Sequence, residues 1–296
     1  MRLASLAAAA LVLIAAGHAA AAPKTFRQLL DMPRAAPTAH IPYGAEPEQF
    51  GDLWLPEGPG KHPVVVLIHG GCWQAKYPSV ELMAYMARDL QGRGYAVWNL
   101  AYRRLGEPGG GYPGTFVDVA NGLDKLRELA PEHRLDLKRV VVAGHSAGGH
   151  LTTWAAGRPR LPKASPLRVG KPLKIRGAVS LAGINDLAAY RATGPDACGG
   201  PDTIDQLTAG AALPDRYADT SPPAFLPIKT PLAVISGALD PIVPPVFGVE
   251  FAAKAKGAGD RVEEITIADA GHFELIDPTS AAWTRIVGVI DAMARK

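Results

Sequence analysis

A serine flanked by glycines is the residue whose surroundings most clearly suggest chemistry. Residues 140–143 are β-prone and apolar, and they run into Gly-His-Ser-Ala-Gly at 144–148 and then into an Ala-, Leu- and Trp-rich helical pattern. This order predicts a strand, a sharp turn and a helix, with Ser146 at the apex. Glycines on both sides fit such a turn, because the strand and helix backbones leave no room for a Cβ there. We predict a nucleophilic serine; a glycine-rich surface turn is the alternative.

A serine hydroxyl is a weak nucleophile at neutral pH, so it needs a histidine base and an acid that orients the base. Both are expected after strands, in the chain order serine, acid, histidine. Asp240 follows the predicted strand 232–236, and His272 follows the predicted strand 264–268. We therefore predict this acid and this base; a turn-forming aspartate before proline and a structural histidine are the alternatives. Three acids closer to the histidine in sequence fit less easily: Asp269, Glu274 and Asp277.

Acyl chemistry also needs backbone N–H groups that bind an oxyanion. His-Gly-Gly-Cys-Trp at 69–73 follows an early apolar run, where such a loop is expected. The predicted donors are the N–H groups of Gly71, Cys72 and Ala147, with an ordinary glycine turn as the alternative. Candidate pocket residues are Trp73, Tyr77 and His145, although an aromatic residue after a strand is as often part of the core.

The histidines at 69, 145, 150 and 272 could suggest a metal site, but none forms a close ligand pair with a carboxylate. We therefore predict no metal site. Cys72 is a weaker candidate nucleophile than Ser146, which has the better scaffold.

Short apolar runs alternate with helical spacing along the chain. Runs at 63–69, 95–101 and 177–182 are too short for helices, whereas 80–90, 116–130 and 281–294 have helical periodicity. This alternation predicts an α/β fold, with a mostly parallel, doubly wound sheet and helices on both faces. The segment 186–223 is rich in Gly, Pro and Asp without a strong period; we expect a small insertion over the carboxyl edge of the sheet, where it can cover a site.

The length of the chain limits the number of domains, and its charge limits the possible partners. The chain has 296 residues and is 48% hydrophobic, enough for one α/β domain, here 48–296. Residues 22–47 are Pro- and Ala-rich and are interpreted as an extended arm or an edge strand. The net charge of +3, from 31 basic and 28 acidic residues without basic runs, does not suggest a nucleic-acid partner.

The first residues have the pattern of a signal peptide. Arg2 precedes an apolar stretch over 3–16, and Ala-Ala-Ala at 19–21 offers a cleavage site before Ala22. The apolar stretch is shorter than the roughly 20 residues of a membrane span, which disfavours an uncleaved anchor. We predict a signal peptide at 1–21, an exported protein that is periplasmic or secreted, and no stable membrane span after cleavage. Cys72 and Cys198 would then meet an oxidising compartment, as one disulfide or as two separate thiols.

The serine turn, the His-Gly-Gly-Cys-Trp loop, Asp240 and Gly271-His272 together resemble the α/β-hydrolase superfamily. Within it, the chain is most similar to esterases and arylformamidases with an H-G-G-x-W loop, including bacterial feruloyl/acetylxylan-esterase-like proteins. The resemblance runs from about residue 50 to the C-terminus and implies about eight strands, no cofactor and hydrolysis through an acyl-enzyme. Two features depart from it: Cys72 stands where an aromatic or small residue is more usual, and 186–223 matches no known pattern.

The resulting hypothesis is a serine hydrolase that cleaves a small-molecule carboxylic ester. An arylformamidase-like amide hydrolase and a peptidase are alternatives that use the same site. A catalytically silent hydrolase-fold binding protein is the alternative outside enzymes.

Overall fold

The fold is built on a single eight-stranded sheet within the part of the chain that the computed structural model describes, residues 22–295. The predicted signal peptide lies outside these residues. The strands are β1 (Ala39–Pro42), β2 (Phe50–Trp54), β3 (His62–Ile68), β4 (Ala96–Leu100), β5 (Leu135–His145), β6 (Gly177–Leu181), β7 (Leu232–Gly237) and β8 (Val262–Ile267). Their order in the sheet is β1-β2-β4-β3-β5-β6-β7-β8. From β4 to β8 neighbouring strands are parallel, whereas β1 and β2 form an antiparallel edge.

Helices cover both faces of this sheet. They are α1 (Phe26–Leu30), α2 (Ala84–Gly92), α3 (Gly114–Asp124), α4 (Leu126–Leu129), α5 (Ala147–Gly157), α6 (Leu187–Thr193), α7 (Gly200–Leu207), α8 (Pro245–Gly257) and α9 (Ala282–Arg295). Two neighbouring residues of β6 show that α8 and α9 cover different faces. A Cβ on Gly177 would meet Met293 of α9, whereas Ala178 packs in a cluster with Phe251 of α8. Because successive side chains of a strand point to opposite faces, α8 and α9 lie on opposite sides of the sheet.

The central strands owe their stability to burial on both faces. Every residue of β4, β6 and β7 is buried, and so are residues 64–68 of β3. Parallel strands covered by helices are near-continuous apolar runs for this reason, and this is how the sequence predicts them. The predicted mostly parallel, doubly wound sheet is confirmed.

Three segments differ from the sequence-based expectations. Residues 22–47 contain the edge strand β1 but also the short helix α1, whose Leu29 is fully buried, so an extended arm is an incomplete description. The helix predicted over 116–130 is divided at Lys125 into α3 and α4. The insertion 186–223 contains α6 and α7, which the sequence pattern does not reveal because each has only two turns. Among residues 22–295, no helix is long and apolar enough to span a bilayer.

Candidate active site

The serine lies at the tightest turn of the fold, between β5 and α5. Ser146 has φ +56°, a backbone conformation that non-glycine residues rarely adopt. A Cβ on Gly144 would lie 2.2 Å from the carbonyl oxygen of Gly148, and a Cβ on Gly148 would lie 2.0 Å from that of Ile68. Both positions therefore require glycine, as the sequence predicts.

Local hydrogen bonds and a helix terminus surround the serine. Its backbone N–H donates to the carbonyl of Leu181 at 2.8 Å, which fixes the turn against β6. Ala147 is the first residue of α5, and an N–H at this position has no acceptor within its own helix. This N–H is available to a ligand beside the serine, at the positive end of the helix dipole.

The predicted acid and base are hydrogen-bonded to each other. Asp240 follows β7 and His272 follows β8, and the Nδ1–H of the histidine donates to Oδ2 of the aspartate at 2.6 Å. The other carboxylate oxygen accepts the backbone N–H groups of Ile242 and Val243 at 2.8 and 2.9 Å. With Nδ1 carrying the proton, Nε2 of His272 is left as the ring's basic nitrogen.

A second histidine supports the first. The Nε2–H of His145 donates to the backbone carbonyl of His272 at 3.0 Å, and the two rings lie 4.3 Å apart. Burial lowers the pKa of His145 well below its usual value, helped by the neighbouring His272. The ring is therefore neutral, with one nitrogen holding the His272 loop in place.

The predicted oxyanion loop has unusual backbone geometry. Gly71, Cys72 and Trp73 all have positive φ, at +94°, +52° and +55°. Such conformations cost free energy in non-glycine residues and occur where the surrounding structure enforces them. Within residues 22–295, the N–H groups of Gly71 and Cys72 donate to no backbone carbonyl. Both groups are therefore free to bind an oxyanion.

Covalent and polar links hold this loop to the insertion. A disulfide joins Cys72 to Cys198, with their Cα atoms 5.3 Å apart and a sequence separation of 126 residues. Next to it, the side-chain amide of Gln74 donates to Thr203 Oγ1 at 2.8 Å. Of the two states that the sequence leaves open for the cysteines, the structure has the disulfide. The insertion is thereby fixed beside the loop.

Two further histidines belong to the packing of the site. His69 stacks on Tyr102, donates through Nδ1 to the Gly70 carbonyl at 2.8 Å, and has a pKa that burial lowers to about 3. His150 bonds the carbonyl of Thr220 at 2.8 Å, and burial lowers its pKa to about 4. Among the described residues 22–295, no three His, Cys, Asp or Glu side chains are grouped so that they could hold a metal ion.

The serine and the histidine open onto the same cavity, of about 270 Å³. Its walls are mainly apolar, and the residues that line it are Phe26, Gly71, Cys72, Tyr77, Leu82, His145, Ser146, Ala197, Ile242, His272, Phe273 and Ile276. Of the three predicted pocket residues, Tyr77 and His145 line it. Trp73 does not: its side chain is fully buried and packs edge-on against His150, so this prediction is wrong. Here the aromatic residue after the strand is a core residue.

Several cavity residues were missed by sequence reasoning. Phe273 directly follows the predicted base and Ile242 lies two residues after the predicted acid, so proximity to these loops is a usable signal. Phe26 precedes Ile242 by 216 residues and Phe273 by 247, and no local pattern connects it with the site.

Comparisons with known proteins give the fold and the family. A family model described as BD-FAE matches residues 52–255. Esterase LipC of Mycobacterium tuberculosis is 26% identical over 246 residues, which are 79% of this chain and 59% of LipC. Esterase LipQ of the same organism is 26% identical over 237 residues, 76% of this chain and 54% of LipQ. The chain thus spans little more than half the length of these relatives.

Solved structures are similar over most of the chain. A truncated carbohydrate esterase from gut microbiota superimposes with a TM-score of 0.72 at 20% identity, covering 89% of this chain and 98% of that one. Esterase B of Lactobacillus rhamnosis has a TM-score of 0.74 at 19% identity, covering 89% of both chains. With the sheet order described above, these similarities confirm the α/β-hydrolase fold.

Proposed function

Since this chain belongs to the BD-FAE family, we propose that it is a serine hydrolase that cleaves carboxylic esters through an acyl-enzyme. One observation carries the proposal. His272, which is hydrogen-bonded to Asp240, lines the cavity that Ser146 also lines. An acid, a base and a serine meeting at the carboxyl ends of strands match the roles that acyl transfer requires.

In the first half of the reaction, Ser146 Oγ attacks the ester carbonyl carbon while Nε2 of His272 takes the hydroxyl proton. Asp240 keeps the imidazole in the tautomer with a proton on Nδ1 and stabilises the imidazolium that forms. The histidine then delivers its proton to the departing alkoxide, so an alcohol leaves and the acyl group stays on the serine. In the second half, His272 activates water, which releases the carboxylic acid and restores the serine.

The negative oxygen of both tetrahedral intermediates needs preorganised donors. The proposed donors are the N–H groups of Gly71 and Cys72 in the 69–74 loop and that of Ala147 at the start of α5. None of these N–H groups has to give up an internal backbone hydrogen bond within residues 22–295 in order to bind the oxyanion. Each such donor is worth on the order of 10²–10³ in rate.

Substrate choice follows from the cavity. Its volume of about 270 Å³ and its apolar walls suit a small-molecule ester with an apolar aliphatic or aryl group. The esterase names of LipC, LipQ and esterase B support this reaction class.

The test compares wild type with Ser146→Ala on a panel of p-nitrophenyl acetate, p-nitrophenyl butyrate, N-formylkynurenine and a peptide. We expect wild type to hydrolyse the esters with the highest kcat/KM and the variant to lose this activity. Preference for N-formylkynurenine or the peptide would move the protein to another substrate class. A variant as active as wild type would refute the serine mechanism.

Export remains part of the proposal. The disulfide supports it, because disulfides persist in oxidising compartments such as the periplasm and the exterior. N-terminal sequencing of the protein recovered from the periplasm or the medium should begin at Ala22. Recovery only from the cytoplasm, with residues 1–21 retained, would contradict export.

A further inference from the structure

The beginning of the described chain returns to the loop that contains the candidate base. We call residues 23–30 the N-terminal strap. The backbone N–H of Lys24 donates to the carboxylate of Glu274, and the Lys24 ammonium forms an ion pair with Asp277. Glu274 also accepts the N–H of Gly271 at 3.0 Å. One carboxylate therefore connects the strap with the residue that immediately precedes His272.

The other end of the strap is anchored in the core. Leu29 is fully buried, and its carbonyl accepts the hydroxyl of Tyr85 at 2.7 Å. Between the two anchors, α1 begins at a capping box in which Thr25 and Gln28 satisfy each other's backbone N–H groups. The segment is thus held at both ends, and its short helix has a defined orientation.

This orientation directs one aromatic ring toward the cavity. The ring of Phe26 lies 5.4 Å from that of Phe273 and 6.1 Å, edge-on, from that of Tyr77, measured between centroids. All three rings line the cavity and are half-buried. Phe26 therefore separates the interior of the cavity from solvent, on the side where the strap crosses.

We propose that Phe26 is a specificity-determining residue, and that the N-terminal strap forms the wall that binds the apolar group of the ester. This inference rests on the proposed ester hydrolysis. A chain of several methylenes or an aryl ring covers more of this wall than an acetyl or methyl group does, and it removes more apolar surface from water. Each methylene buried in this way favours the longer substrate. The preferred substrates are therefore esters with a medium-length aliphatic or a small aromatic group.

The experiment measures kcat/KM for wild type and Phe26→Ala on two ester series. One series varies the acyl chain from acetate to hexanoate with p-nitrophenol as the leaving group; the other varies the alcohol from methyl to hexyl with acetate as the acid. In the series whose varied group binds against the strap, Phe26→Ala should lower kcat/KM for the longest ester by about five- to tenfold, mainly by raising KM. The kcat/KM for the shortest ester should change little. Phe26→Leu, which keeps an apolar wall, should retain most of the preference.

Two control variants separate the cavity wall from general effects. Phe50→Ala removes a half-buried aromatic residue that packs on His40 at the antiparallel edge of the sheet and does not line the cavity. This variant should leave the chain-length preference unchanged. Lys24→Gln loosens the strap while keeping Phe26, and it should shift the preference in the same direction but less.

An unchanged preference in both series for a folded Phe26→Ala would overturn the inference and leave the proposed function intact. An equal loss of rate on short and long esters would also overturn it, since it would mean that Phe26 serves only to hold the fold. A wild-type protein that hydrolyses no ester in either series would refute the proposed function first, and the inference with it.

Discussion

Two loops line the cavity that contains the serine, and they are held in different ways. The loop at 69–74 supplies two of the proposed oxyanion donors, Gly71 and Cys72; it is tied to the insertion by a disulfide and begins at His69, whose pKa burial lowers to about 3. The loop at 269–277 supplies the proposed base; it is held by the Asp240 carboxylate, by the imidazole of His145 and by contacts with the N-terminal strap, all of them non-covalent. One side is cross-linked, whereas the other is hydrogen-bonded.

This difference corresponds to the tasks of the two loops. Oxyanion donors stabilise a transition state best when they are fixed in advance, because no free energy is then spent on reorienting them. A base must take up and deliver a proton twice in each turnover, so its partners must accommodate both charge states of one ring. We expect chemical reduction to damage the first side and loss of a single charge to damage the second.

The largest effect should come from the hydrogen-bonded side. Asp240→Asn removes the acceptor that fixes the tautomer of His272, and kcat should fall on the order of 10³–10⁴-fold with a small change in KM. The matched control is Asp269→Asn, which changes an exposed acid close to the histidine in sequence and should have nearly wild-type rates. Esterase kinetics at pH 7.5 measure both. If the Asp240 variant stays within tenfold of wild type, the assignment of the acid is wrong.

The cross-linked side should respond less strongly. The double variant Cys72→Ser/Cys198→Ser frees the loop from the insertion, and we expect kcat to fall about 10–100-fold, below the full worth of an oxyanion donor because the backbone amide remains. Loss of the disulfide should also reduce the free energy of unfolding by roughly 2–5 kcal/mol. Dithiothreitol should slow wild type in the same way and have no effect on the double variant. An unchanged kcat in the folded double variant would show that the cross-link does not position the loop.

The smallest effect concerns a buried histidine outside the proposed triad. Burial lowers the pKa of His150 to about 4, so the unfolded chain, with its ordinary value near 6.5, binds the proton more tightly. The free energy of unfolding should therefore be highest above pH 6.5 and fall as pH drops toward 4, by up to about 1.4 kcal/mol per pH unit for this residue. Urea unfolding at several pH values between 4.5 and 7.5 gives the free energy of unfolding at each pH. This free energy should depend less steeply on pH in His150→Gln than in wild type. Parallel slopes in wild type and variant would mean that His150 is not a buried neutral group.

The two sides of the site also differ in how far the sequence predicts them. The glycines around Ser146 and the strands before Asp240 and His272 are local patterns, and the predicted turn and the predicted hydrogen-bonding pair follow from them. Contacts between distant segments have no such pattern. The pairing of Cys72 with Cys198 stays open in sequence, because it depends on how the insertion folds. Its two short helices have too few turns to show a period.

The direction of a side chain is a further feature that the local sequence pattern does not give. An aromatic residue after a strand can point into the core or toward the site, and the ring of Trp73 is fully buried in the core. Phe26 was missed for the opposite reason: it belongs to a Pro- and Ala-rich segment that gives no sign of folding against a loop about 250 residues away. The fold class and the hydrogen-bonded pair of Asp240 and His272 were therefore predictable, whereas several residues of the cavity wall were not.

Covalent labelling tests the central claim most directly. The protein is treated with a fluorophosphonate, and the intact mass and the modified peptide are determined for wild type and Ser146→Ala. The account predicts one phosphonyl adduct per wild-type chain, located on Ser146, with the disulfide intact, and no adduct on the variant. A folded wild-type protein that stays unlabelled, or one labelled at another residue, would contradict a nucleophilic serine at this turn.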